Sequence, residues 1–218
     1  MIAAGALGSY WLVGKGGGVF SFGSAPFVGS LPADGIHVSN IVGMTATSDD
    51  KGYWLVGADG GVFSFGDAHY FGSLPGSGIH VSNIVGVTAT ADGKGYWLVG
   101  ADGGVFSFGD AHYFGSLPGD HLTPSQPVVT IAGNSDSSGY WITAADGGIF
   151  SFGDAKFYGS ESGKAHNKPI VSMLPDLDDG GYWLVGADGG VFSFGDASYL
   201  GSVPGEGINV TDIVAIAD

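Results

Sequence analysis

One sentence of 25 residues, GYWLVGADGGVFSFGDAHYFGSLPG, occupies positions 52–76 and again 95–119. Looser copies fill the rest of the chain. The tryptophans Trp11, Trp54, Trp97, Trp141 and Trp183 stand 43, 43, 44 and 42 residues apart, each directly after a tyrosine. Each is followed by a glycine-rich turn and a Phe-Ser-Phe-Gly run. A period of this length requires one supersecondary unit per copy, stacked so that neighbours bury each other.

Cutting one copy at its turns predicts four strands: a run from Ile41, GYWLVGA from Gly52, GVFSF from Gly61, and AHYFGSL from Ala68. Asp59-Gly60 makes a two-residue hairpin turn, because both residues tolerate positive φ. Gly66-Asp67 makes the next turn, and Pro75 stops pairing because it has no N–H to donate. Apolar residues sit on both sides of each strand, as in a sheet covered on both faces. Gly43 and Gly86 suit a crowded inner strand.

The pattern predicts an all-β fold, a five-bladed β-propeller with four antiparallel strands per blade. The expected blades are 1–40 with 213–218, then 41–83, 84–127, 128–169 and 170–212, in a single domain. The chain begins at a second strand and ends just after a first strand. The C-terminal strand is therefore expected to join the N-terminal blade and close the ring, where an open solenoid would need polar caps. The start lacks a basic leader segment and reads as a piece of a longer chain.

Charge excludes several partners. The chain carries 21 acidic residues against 6 lysines, no arginine and a formal charge of -15. A phosphate backbone would be repelled, so nucleic acid is not expected as a partner. There is no apolar run long enough for a spanning helix, so no membrane insertion is expected. Cysteine is absent, which removes disulfides and thiolate chemistry. No cofactor is indicated.

The run GYWLVGADGGVFSFGDA resembles the repeats of secreted or surface-attached actinobacterial proteins, which often accompany hydrolase domains. That resemblance implies an extracellular or cell-surface location and an attached hydrolase domain, and it assigns no chemistry to the repeat. A weaker likeness, through DGGVFSFGDAHYFGSLPG, is to the regulator of chromosome condensation repeats, and it bears on propeller topology alone. Five-bladed propellers also occur among lectins such as tachylectin, whose own motifs are missing here.

The recurrent tryptophans and phenylalanines would serve as sugar platforms if exposed and as wedges between blades if buried; their place inside apolar strands favours the wedge. Asp59, Asp102, Asp146 and Asp188 share one turn, where Asp-Gly chemistry competes with a ring of carboxylates for a cation. His37, His80 and His166 stand four residues before a first strand, and Asn40 and Asn83 one residue before it. By fold analogy these loops and the Asp-Gly turns share one face, which makes the nine residues the candidate ligand set. His69 and His112, beside Asp67 and Asp110, are expected to keep an outer strand soluble. The acidic stretch PDLDDGG (175–181) lacks the spacing of a calcium loop, with Ala187 where the glutamate belongs. No serine elbow and no phosphate loop occurs. The expected function is a non-catalytic binding module for glycan or cell-wall polymer, working through repeated weak sites. A structural or protein-interaction scaffold that positions a hydrolase domain is the alternative.

Overall fold

A computed structural model describes residues 2–4 and 8–215. The fold is all-β, with only two short 3₁₀ turns, Pro75–Ser77 and Pro204–Glu206, among the described residues. Among the described residues, fifteen strands form five separate three-stranded antiparallel sheets in chain order. The sheets are β1 (Ile2–Ala4), β2 (Tyr10–Val13) and β3 (Val19–Phe22); β4 (Ile41–Ala46), β5 (Gly52–Gly57) and β6 (Val62–Gly66); β7 (Ile84–Ala89), β8 (Gly95–Gly100) and β9 (Val105–Gly109); β10 (Val128–Gly133), β11 (Gly139–Ala144) and β12 (Ile149–Gly153); and β13 (Ile170–Pro175), β14 (Gly181–Gly186) and β15 (Val191–Gly195). This arrangement is β-propeller-like. It divides into two compact units, one holding the chain up to Gly100 with Phe106–Ala111, the other Ala101–Val105 and the chain from His112.

Within the first unit, Trp11 and Trp54 are fully buried, each against the tyrosine of the following sheet. The Trp11 and Tyr53 ring centroids lie 5.8 Å apart, and those of Trp54 and Tyr96 5.7 Å. The second unit repeats this with Trp141 and Tyr182 at 5.9 Å. These buried aromatic residues are therefore wedges between sheets, and a buried indole is unavailable to stack on a sugar. The crowding expected at Gly43 is present: a Cβ there would stand 2.8 Å from Val87 Cγ1 of β7.

Two expectations are corrected. The sheets have three strands, because the segment expected as the fourth makes no ladder. Its backbone is held by side chains instead. The indole N–H of Trp54 donates to the carbonyl oxygen of His69 at 2.8 Å, and Trp141 does the same to Lys156 at 2.7 Å. Tyrosine hydroxyls from the following sheet hold it further along, Tyr96 on Gly72 at 2.6 Å and Tyr182 on Gly159 at 2.6 Å. A chain anchored every few residues by side chains satisfies its polar groups without a partner strand.

Nor does a C-terminal strand close the first sheet. Ile2–Ala4 occupies that edge, with Ala3 opposite Trp11 in register. Residues 213–215 form no strand, and 216–218 lie outside the described residues. Ile213 N–H donates to the carbonyl of Ala187 at 3.0 Å, the same lace that ties Ile84 to Ala58 at 3.0 Å.

Candidate functional site

The Asp-Gly hairpins and the loops entering β4, β7, β10 and β13 are laced together by backbone. The Ala58 N–H donates to Asn40 O at 2.8 Å, and the Ala145 N–H to Pro127 O at 2.9 Å. This brings Asn40 and Asp59 into contact, with Asn40 Nδ2 donating to Asp59 Oδ1 at 3.2 Å. The same oxygen accepts the Gly61 N–H at 3.1 Å. Asp102, Asp146 and Asp188 each accept the N–H two residues on, at 3.0–3.1 Å. All four carboxylates thus act as turn locks. Asn83 is half-buried at the place corresponding to Asn40.

The three candidate histidines are not equivalent. His37 and His80 are exposed. The His166 side chain is only 9% exposed, and its Nε2 lies 3.4 Å from Glu161 Oε2. Its ring meets Phe192 edge-on at 5.5 Å. Glu161 stands where other copies have Leu31, Leu74, Leu117 or Val203, and Lys164 Nζ donates to its other oxygen at 2.7 Å. His166 and Asp188 line one cleft of about 260 Å³ with Lys168, Phe192 and Ser202. His69 instead serves through its backbone, accepting the Trp54 indole, while its ring packs on Phe71 at 5.0 Å.

The larger cleft, about 590 Å³, lies where the third copy departs from the repeat. Asp102, His121, Leu122, Pro124, Gln126 and Pro127 line it. Of these, Asp102 belongs to the ligand set expected from the sequence. The signal for the others is the divergence itself, GDHLTPSQP where the second copy has GSGIHVSN.

At the Asp49 and Asp92 turns, lysine sets the electrostatics. Hydrogen bonding to Lys51 holds the Asp49 carboxyl down at about 2, and Lys94 does the same for Asp92. The Thr47 hydroxyl sits 3.1 Å from Asp49 Oδ1 and 3.3 Å from Asp67 Oδ1. In the fifth copy Asp176 replaces that threonine and Gly180 the lysine. Asp176, Asp178 and Asp196 consequently place carboxylate oxygens within 4.8 Å of one another, on a largely exposed turn. The approach of Asp196 has no counterpart in linear spacing.

No helix among the described residues is long and apolar enough to cross a membrane. These features define an all-β repeat protein of propeller-like build, with variable loops on a constant frame. No protein-family model and no curated protein matches the chain. Its backbone is similar to two crystal structures of Sqt1 from Chaetomium thermophilum. One, with Sqt1 bound to the N-terminus of the ribosomal protein L10, matches at TM-score 0.60 and 15% identity, over 86% of this chain and 56% of that one. The other matches at TM-score 0.59 and 16% identity, over 90% of this chain and 56% of that one. The chain thus spans little more than half the length of the structures it resembles. The glycan or cell-wall partner expected from the sequence is corrected: the partner held by the similar structure is a protein segment.

Proposed function

We propose that this chain is a non-catalytic protein-interaction module, a five-bladed propeller-type frame that takes an extended, basic protein segment on its variable loops. The observation that carries this reading is the cleft of about 590 Å³ built by the loop at 118–127, where the third copy departs from the repeat. The repeated frame fixes the position of the loops, and loops on a rigid frame are where binding residues concentrate. A formal charge of -15 favours cationic partners and speeds their encounter. The likeness to a structure that holds a protein segment supports the same partner class. Following the resemblance of its repeats, such a module would position an attached hydrolase domain at a cell surface.

Peptide display against the 218-residue chain tests this. Selected peptides should be rich in lysine and arginine. Their affinity should fall with salt. Replacing 118–127 by the second-copy loop PGSGIHVSN should abolish binding while the circular dichroism spectrum is kept. Failure to select any peptide, or binders indifferent to the loop graft, would sink the reading.

A further inference from the structure

Four junctions between consecutive sheets are built alike. A tyrosine of the later sheet donates its hydroxyl to a glycine carbonyl after the earlier sheet: Tyr53 to Gly29, Tyr96 to Gly72, Tyr140 to Gly115 and Tyr182 to Gly159. The rings of Phe65, Phe108, Phe152 and Phe194 cover those glycines. In three of the four an aromatic residue before the glycine packs on the same tyrosine, with Phe71 5.8 Å from Tyr96, Phe114 5.7 Å from Tyr140 and Tyr158 5.7 Å from Tyr182; Val28 takes that place in the first.

The first and last sheets carry the two halves of this junction in exposed form. Tyr10, Leu12, Phe20 and Phe22 correspond to Tyr53, Leu55, Phe63 and Phe65. Tyr53 and Leu55 are fully buried, yet Tyr10 is 39% exposed and Phe20 61%. Tyr10 and Phe22 stack on each other at 4.9 Å. After the last sheet, Leu200 takes the place of Phe71 and is 90% exposed. Gly201 keeps the backbone twist of its equivalents, at φ 128°, but nothing lies within 4 Å of where a Cβ would stand.

We propose that a second copy of this chain covers these faces head to tail, the Tyr10–Phe22 face of one copy seating on the Leu200–Gly201 face of the next. The chain already makes this junction four times, each with a tyrosine, a glycine and a covering phenylalanine at the same places. Exposed apolar faces of this kind favour association. The two faces are different, so the contact is heterologous. Each added copy leaves one face of each kind open until a ring closes, so heterologous assembly grows past the dimer wherever two copies do not close on each other.

Sedimentation velocity over a concentration series tests this with wild type, Phe20→Asp and Leu200→Asp. Wild type is expected to form dimers and larger species as concentration rises. Each variant should bind itself at least about 30-fold more weakly, the effect of losing a central interface residue. An equal mixture of the two variants should form dimers and nothing larger, because one intact face of each kind remains. Wild type that stays monomeric throughout overturns the proposal. So does a variant that still assembles alone, or a mixture that fails to pair. Both side chains are exposed, so an unchanged melting temperature reports an intact fold, and the wild-type result decides the question without either variant.

Discussion

The Tyr96 hydroxyl donates to the carbonyl oxygen of Gly72 at 2.6 Å and accepts the Phe71 N–H at 3.3 Å. One side chain thereby satisfies two backbone groups of a segment that has no strand beside it. Tyr96→Phe removes both bonds and leaves the buried groups without partners, which costs about 1–3 kcal/mol. Urea unfolding should show that loss as a lower midpoint with an unchanged slope. A midpoint within error of wild type would mean the hydroxyl does not hold the segment.

The same phenols set the alkaline limit of the fold. Burial pushes Tyr96 and Tyr140 up to about 12 from 10, and raises Tyr53 and Tyr182 too. The folded state holds these protons more tightly than the unfolded chain does. The stability they contribute is complete below pH 10 and drains away as pH rises through about 12. Urea midpoints should decline across that window, in step with tyrosinate absorbance. Phenols that ionise near 10 without unfolding would contradict this.

Much of this frame is legible in the sequence, and the rest is hidden for definite reasons. The second and third strands, and the turns at Asp59 and Asp102, follow from apolar runs bounded by Asp-Gly pairs. The segment 67–73 has a strand's composition, but its anchors Trp54 and Tyr96 lie 15 and 24 residues from the carbonyls they hold. No local pattern records such partners. Strand Ile2–Ala4 is three residues of weak β signal, too short to be read. At the candidate site, the Asp59 turn role was readable from chemistry. The burial of His166 was not, because it depends on Glu161 replacing a core leucine and on Phe192 from the next sheet. The Asp176, Asp178 and Asp196 cluster requires two hairpins to meet, which spacing along the chain does not encode.

The Phe-Ser-Phe serines make a separate prediction. Ser21, Ser64, Ser107, Ser151 and Ser193 all bury a hydroxyl without a hydrogen-bond partner. Each stands opposite the tryptophan of its sheet, or in the equivalent register, as Ser64 does to Trp54. A small side chain is what the site requires, and the hydroxyl carries a desolvation cost. Ser64→Ala should leave stability unchanged or raise it by up to about 1 kcal/mol. Scanning calorimetry of the single variant and of Ser64→Ala with Ser151→Ala checks this, with the double variant at least as stable as wild type. A drop in melting temperature would show that the hydroxyl has a role beyond its size.

Gly72 and Gly201 separate backbone strain from packing. Both adopt a left-handed backbone, φ 133° and φ 128°, which favours glycine at either place. Alanine therefore costs about 1–2 kcal/mol at each from conformation alone. Around them the two sites differ. A Cβ at Gly72 would stand 2.8 Å from Phe108 Cδ1, inside a packed aromatic junction, while at Gly201 it meets nothing within 4 Å. Overpacking a core adds about 1–3 kcal/mol. Gly72→Ala should therefore lose more stability than Gly201→Ala by that increment in urea unfolding of dilute, monomeric protein. Raising the concentration should reveal a second difference. Where copies associate head to tail, the Gly201 site acquires a phenylalanine ring of its own, so Gly201→Ala weakens assembly while Gly72→Ala leaves it intact as long as the fold survives. Equal losses from the two substitutions in monomeric protein would show that the ring of Phe108 yields freely and that the junction is not closely packed.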